Sequence, residues 1–165
     1  MESAVDLQNL TYGEIILRLL ISGLIGAVIG YEREASGRPA GFRTNMLVAV
    51  GSCLMMVISI QIGLQYDGSD PSRIAAQVVS GVGFLGAGTI MVKGGDVKGL
   101  TTAATLWVNA GIGMAIGAGL YFAGIATGVI VLLALIVFGR LNFIQELDDD
   151  DDLPLEDEDE VSDDA

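Results

Sequence analysis

Residues 102–138 read TAATLWVNAGIGMAIGAGLYFAGIATGVIVLLALIVF, a run without a charged side chain. About 20 apolar residues (roughly 17–25) carry an α-helix across the hydrocarbon of a bilayer. The run is too long for one crossing and reads as two short helices. Gly117, Gly119 and Gly124 lie near its middle, where a tight turn fits. Outward from it, three more stretches pass the same test: about Ile15 to Tyr31, about Thr44 to Leu64 and about Arg73 to Val92. The count is five crossings, with four as the alternative if one segment is only partly inserted. The expected fold is all-α: a polytopic transmembrane helical bundle of about five helices with a disordered acidic C-terminal tail.

Composition points the same way. The 165 residues are 52% hydrophobic and include 23 glycines, with a mean hydropathy of +0.59. Such a chain is not disordered and is a poor match to an ordinary soluble domain. The formal charge of −13 is a local property. Residues 1–145 hold 8 acids and 8 bases, whereas residues 146–165 hold 13 acids and no base. Three parts follow: a short extracytoplasmic N-terminal segment (1–14), a transmembrane domain (15–141) and an acidic cytoplasmic tail (142–165). Self-repulsion should keep the tail extended. It reads either as a solubilising tail or as a loose cation concentrator.

Absent residue types exclude whole chemistries. Without histidine there is no His-based zinc site, catalytic triad or imidazole pH switch. The lone Cys53 can form neither an internal disulfide nor a CxxC site, and it reads as a small hydrophobe. No basic stretch suits nucleic acid, which the tail would repel. Glu2, Asp6 and Glu14, with no basic residue before Ile15, argue against a cleavable signal peptide.

Basic residues give an orientation. With five crossings, Arg33, Arg38, Arg43, Lys93, Lys98 and Arg140 share one side, against Arg73 and Arg18 on the other. These six topology anchors place the N-terminus outside and the C-terminus in the cytoplasm of a plasma or inner membrane. Arg18 is expected to snorkel to the outer interface, with Glu14 four residues before it as an ion-pair partner.

Helices in lipid associate by close backbone approach, which small residues allow. Gly26 and Gly30 are four apart, as are Gly113 and Gly117, and Gly124 and Gly128. Gly111, Ala115 and Gly119 form a further stripe. The run Gly81 to Gly86 matches GxGxxG, but it lies inside a membrane-length apolar stretch and no acid follows about 20 residues later, so a nucleotide site is not expected. Gly81, Gly83, Gly86 and Gly88 instead suggest a thin or locally broken helix, of the kind that lines midplane ion sites in some transporters.

Three segments carry a family pattern: Ile29-Gly30-Tyr31-Glu32-Arg33-Glu34 continuing to Ala40-Gly41-Phe42-Arg43-Thr44-Asn45, then Gly81 through Ile90, then Gly99-Leu100-Thr101-Thr102-Ala103-Ala104-Thr105-Leu106-Trp107. In order and spacing, over roughly residues 15–138, they resemble the membrane domain of the MgtC/SapB family. The resemblance implies a multi-pass membrane protein of Mg²⁺ homeostasis. Two readings follow from it: a Mg²⁺ transporter with a path among the glycine-rich third and fourth helices, or a non-transporting regulator docked on a larger membrane complex such as an F-type ATP synthase. Better-known members carry an ACT-like domain after the last helix, where this sequence has its acidic tail.

Polar groups at membrane depth are the candidate ion-path residues. Asn109 falls mid-span with Thr105 one turn earlier, and the amide could help hold a cation or bond a neighbouring helix. Glu32, Glu34 and Asp96 could offer oxygens to a hard cation, which needs only one or two carboxylates. Arg33, Arg38 and Arg43 compete for the same acids. Thr101 and Thr102 read as N-cap candidates or as hydroxyls along a path. No suitably placed acid–base pair appears, so no enzyme is expected. No cofactor is expected, Mg²⁺ entering only as substrate or ligand. Expected partners are the lipid bilayer, a second copy and, for the regulatory reading, a membrane ATPase.

Overall fold

The computed structural model describes residues 10–66, 70 and 72–151, with side chains through Gly139. Five helices are joined by short connections: α1 (Tyr12–Ala35), α2 (Phe42–Gln65), α3 (Arg73–Ala87), α4 (Leu100–Gly117) and α5 (Tyr121–Asp151). Between α3 and α4 the chain forms a hairpin of β1 (Met91–Lys93) and β2 (Asp96–Lys98), with Val92 opposite Val97. The hairpin begins inside the stretch expected to form the third span, about Arg73 to Val92. Gly94 and Gly95, both at positive φ, form a two-residue turn that few other residues adopt without strain.

Each end of a helix has a local cause. Thr11 and Glu14 form a reciprocal capping box at the start of α1, so Glu14 serves the helix terminus rather than pairing with Arg18. Before α3, the Asp70 carboxylate accepts hydrogen bonds from the Ser72 hydroxyl and backbone N–H at 2.7 and 2.8 Å, and these hold its pKa below the ordinary value. The α4–α5 turn is Ala118–Leu120, with Gly119 at φ 82°. Gly124, expected near that turn, lies inside α5. The N-cap of α4 is Gly99, at φ 93° and without a side-chain cap, so neither Thr101 nor Thr102 performs the capping expected of it.

Four helices are long and apolar enough to cross a membrane: α1, α2, α4 and the Tyr121–Gly139 part of α5. With 15 residues, α3 is shorter. It nevertheless returns the chain across the layer, because α2 and α4 run parallel. Their register is fixed by Asn45 beside Asn109, Ala49 beside Gly113 and Cys53 beside Gly117. Against α1, α2 is antiparallel: Gly23 meets Val50, Gly26 meets Ala49 and Gly30 meets Phe42. Arg18 meets Tyr121 and Ile25 meets Gly128, so α1 and α5 are parallel. The α1–α2 connection, the hairpin and the far end of α5 therefore share one end of the bundle. α5 continues as helix through Asp151, into the acidic tail. Residues 152–165, the N-terminal stretch 1–9 and the Arg140 side chain lie outside the described residues.

Glycines set these contacts unequally. A Cβ at Gly26 would lie 2.8 Å from the Asn45 carbonyl oxygen, and one at Gly30 would lie 2.7 Å from Phe42 Cα. At Gly113 it would run into the Ala49 carbonyl, and at Gly117 it would lie 2.6 Å from the Cys53 carbonyl oxygen. Gly86 meets Ala103 at an ordinary 3.5 Å. Gly81, Gly83 and Gly111 face open space. α3 is continuous through Gly81, Gly83 and Gly86 and stops at Gly88, so of the thin or locally broken helix expected there the structure has the thin, unbroken one. Gly111 instead lines a shallow apolar groove of about 260 Å³ with Trp107, Ala115 and Thr127.

This inequality predicts a contrast between two substitutions on one helix. Gly113→Ala must push α4 away from the α2 backbone and should cost about 1–3 kcal/mol. Gly111→Ala should change stability by no more than about 0.5 kcal/mol, as surface substitutions away from special features do. Thermal unfolding of both variants in one detergent tests the pair.

Candidate functional site

Seven of the nine buried polar side chains among the described residues line the α1–α2–α4 seam, the other two being Arg33 and Ser59. Arg18 and Ser22 of α1, Asn45 and Ser52 of α2, and Thr102, Thr105 and Asn109 of α4 are all buried. Sequence reasoning found Asn109, Thr105 and Thr102 and missed Asn45, Ser22 and Ser52. Asn45 carried the same signal as Asn109, an uncharged amide in an apolar stretch. Its position at the start of that stretch concealed it.

Asn45 and Asn109 form the centre of the seam. Asn109 Nδ2 donates to the Asn45 backbone carbonyl at 2.7 Å and to Asn45 Oδ1 at 3.2 Å. Asn45 Nδ2 in turn donates to the carbonyls of Ala40 and Gly41. Ala40 stands at φ 58°, a region disfavoured for a residue with a Cβ. The two amides thus tie a strained turn between α1 and α2 to the middle of α4. Both faces of the Asn45 amide are used, but Asn109 Oδ1 is buried without a hydrogen-bond partner among the described residues. Exchanging its oxygen and nitrogen would set acceptor against acceptor, so the chain of donors ends there. Thr105, one turn earlier, donates to the Thr101 carbonyl at 2.7 Å, while the Thr101 side chain is exposed.

At the other end of the seam Arg18 is only 1% exposed and does not snorkel. Its Nη1 donates to the Gly117 carbonyl at 2.7 Å and its Nε to the Tyr121 hydroxyl at 3.3 Å. The guanidinium stands 5.9 Å from the centre of the Tyr121 ring. Gly117 ends α4, so the cation caps the negative end of a helix dipole and satisfies a carbonyl left over at the terminus. The Ser22 hydroxyl, one turn further along α1, is buried with no hydrogen-bond partner among the described residues.

The carboxylates expected to hold a cation are differently occupied. Glu32 takes a two-pronged pair from Arg33, at 2.5 and 2.7 Å, and a hydrogen bond from the Ser36 hydroxyl at 2.9 Å. Arg33 is itself buried, whereas Arg38, Arg43, Lys93 and Lys98 are exposed. Glu34 Oε2 accepts from the Phe42 N–H at 2.9 Å and so serves the start of α2. Asp96 is exposed on the hairpin. Glu32, Glu34 and Asp96 do not converge: among the described residues no three acidic or sulfur side chains are placed to hold a metal ion.

Comparison with known proteins accords with this architecture. The sequence model of the MgtC family matches residues 19–143, which is most of the chain. This protein belongs to the MgtC family. It is 49% identical over 135 residues to an Escherichia coli K12 protein named "Putative magnesium transporter YhiD", covering 79% of this chain and 63% of that one. It is 49% identical over 122 residues to Protein MgtC of Salmonella typhimurium, covering 74% and 51%. A Haemophilus influenzae protein is 43% identical over 128 residues, covering 73% and 54%. The chain thus spans between half and two thirds of the length of these relatives. No solved structure matches it.

The amide pair generates a test of its own. Asn109→Ala should cost about 0.6–1.7 kcal/mol, the range for hydrogen bonds between membrane helices. Asn109→Asp puts carboxylate oxygens against the Asn45 carbonyl and Oδ1 and should destabilise more than Ala does. Unfolding curves of the two variants give the order, and Ala worse than Asp would contradict the donor role.

Proposed function

We propose that this MgtC-family protein acts in Mg²⁺ handling as a regulatory membrane protein rather than as an ion conduit in its own right. It would work in a cell membrane with the Arg38, Arg43, Lys93 and Lys98 end in the cytoplasm, the side that collects Lys and Arg in membrane proteins. The link to Mg²⁺ rests on the family and on the printed name of the Escherichia coli relative. The closed seam is the observation that carries the non-conducting reading. Where its polar groups lie, α2 and α4 meet backbone to backbone at Gly113 and Gly117, which leaves no bore between them. Arg18, buried at one end of that seam with no acidic partner among the described residues, opposes the passage of a divalent cation. Mg²⁺ also sheds its water reluctantly and favours carboxylate oxygens, and the seam offers amides and hydroxyls.

A second reading has its own support. Gly81 and Gly83 of α3 face open space, and α3 meets α4 only at ordinary distance. A transport path would then run beside α3, between the third and fourth helices, and outside the seam.

Mg²⁺ uptake into dye-loaded proteoliposomes, with wild type and Asn109→Ala in parallel, separates the readings. Folded, monodisperse wild-type protein should give no uptake above empty liposomes. Saturable uptake would overturn the regulatory proposal. If Asn109→Ala then abolished it, the path would lie in the seam; if uptake survived, the path would lie at α3.

A further inference from the structure

We propose that the exposed basic end of the bundle is a docking surface for this chain's own acidic segment, residues 152–165. The surface comprises Arg38 from the α1–α2 connection, Arg43 at the start of α2, and Lys93 and Lys98 on the hairpin, all exposed. The acids on the α1–α2 connection and the hairpin are partly engaged, and those of α5 from Glu146 to Asp151 lie along the helix that leads away from the bundle. Glu32 is held by Arg33, Glu34 caps α2, and Asp96 sits opposite Lys93 in the hairpin. Over the α1–α2 connection and the hairpin, bases outnumber acids among the described side chains.

The occupant is set by where the chain leads. Arg18 beside Tyr121 and Ile25 beside Gly128 keep one offset between α1 and α5, which puts Phe138 level with Ala35 at the basic end. From there α5 runs on to Asp151, roughly 20 Å at 1.5 Å per residue. Residues 152–165 can span up to about 46 Å when extended, more than enough to return. They carry Asp152, Glu156, Asp157, Glu158, Asp159, Glu160, Asp163 and Asp164 and no base. The segment is tethered, so its carboxylates are held near the surface at millimolar effective concentration, which weak charge contacts can exploit.

The hairpin adds a second complementarity. Val92 and Val97 pair on one of its faces and are 70% and 49% exposed, with Lys93 and Lys98 on the opposite face. An isolated two-stranded hairpin is marginal in water. The segment offers matching chemistry, since Leu153 and Leu155 flank Pro154 between acidic neighbours. This docking depends only on which groups share an end of the bundle, so it stands apart from the Mg²⁺ proposal and fails separately from it.

Lys93 and Lys98 are the chain's only lysines, which permits a direct test. The full-length protein, in phosphatidylcholine nanodiscs at low salt, is treated with a carbodiimide that joins amines to touching carboxylates, and the products are mapped by mass spectrometry. Mixed unlabelled and ¹⁵N-labelled chains separate links within a chain from links between chains. The expected result is links within one chain from the lysines to acids in 152–164. They should be lost at about 1 M salt, where the screening length is about 3 Å. Arg38→Gln with Arg43→Gln, which leaves both lysines in place, should cut the yield about threefold or more. Three results would overturn the proposal: lysines that react with a monofunctional ester yet never link to the segment, links found only between chains, or links that vanish when phosphatidylglycerol is included. The last would assign the surface to anionic headgroups.

Discussion

The close approach of α4 to the α2 backbone is the constraint from which the bundle follows. With carbonyls of Ala49 and Cys53 packed where side chains of Gly113 and Gly117 would stand, the two helices are locked parallel and in register. A parallel pair cannot be joined by a short loop, so the intervening chain must cross back, and α3 with its hairpin is that return. α1 then seats Gly23, Gly26 and Gly30 on the adjoining face of α2. Gly124 and Gly128 of α5 close over Ile112, Ile116 and Ile25. Leucine gains little by leaving lipid for protein, so van der Waals contact at small residues carries the association.

Polar groups inside the seam make the packing specific. A bundle held only by small-residue contacts can slide by a turn at modest cost. The Asn109 amide, seated on the Asn45 carbonyl and side chain, would lose both acceptors in any other register. Arg18 does the same at the opposite end, since its guanidinium is matched only where α4 terminates and Tyr121 begins α5. In hydrocarbon an unmatched group costs far more than the modest gain of a made bond, so these contacts discriminate more than they stabilise.

Much of this was legible in the sequence because bilayer thickness, apolar length and glycine spacing are linear properties of a chain. The four long spans, the division of the fourth stretch and the family could be read in that way. Glycines 26, 30, 113 and 117 could also be named as contacts from spacing alone. Gly81, Gly83 and Gly111 carried the same spacing signal without such contacts, because spacing identifies a thin face and not whether a neighbour occupies it. Arg18 was misread for a related reason. Snorkelling is the default for a cation near a helix end, and only the three-dimensional arrangement shows another helix terminating beside it. The carboxylates of Glu32 and Glu34 could be singled out as candidate ligands but not as already engaged. Their partners, Arg33 and the Phe42 N–H, are near in sequence, yet nothing in the sequence says which competitor prevails.

The unequal reach of α2 and α4 bears on the bilayer itself. Gly117 ends α4 level with Cys53, near the middle of α2, and α2 continues from there to Gln65. That remaining stretch rises roughly 18 Å at 1.5 Å per residue. The α4–α5 corner, with Arg18 at its floor, is therefore sunk well below the rim formed by the end of α2. Lipid that meets such a step bends or thins to match it. A fold with such a step is sensitive to bilayer thickness on one side, since each ångström of mismatch has a cost.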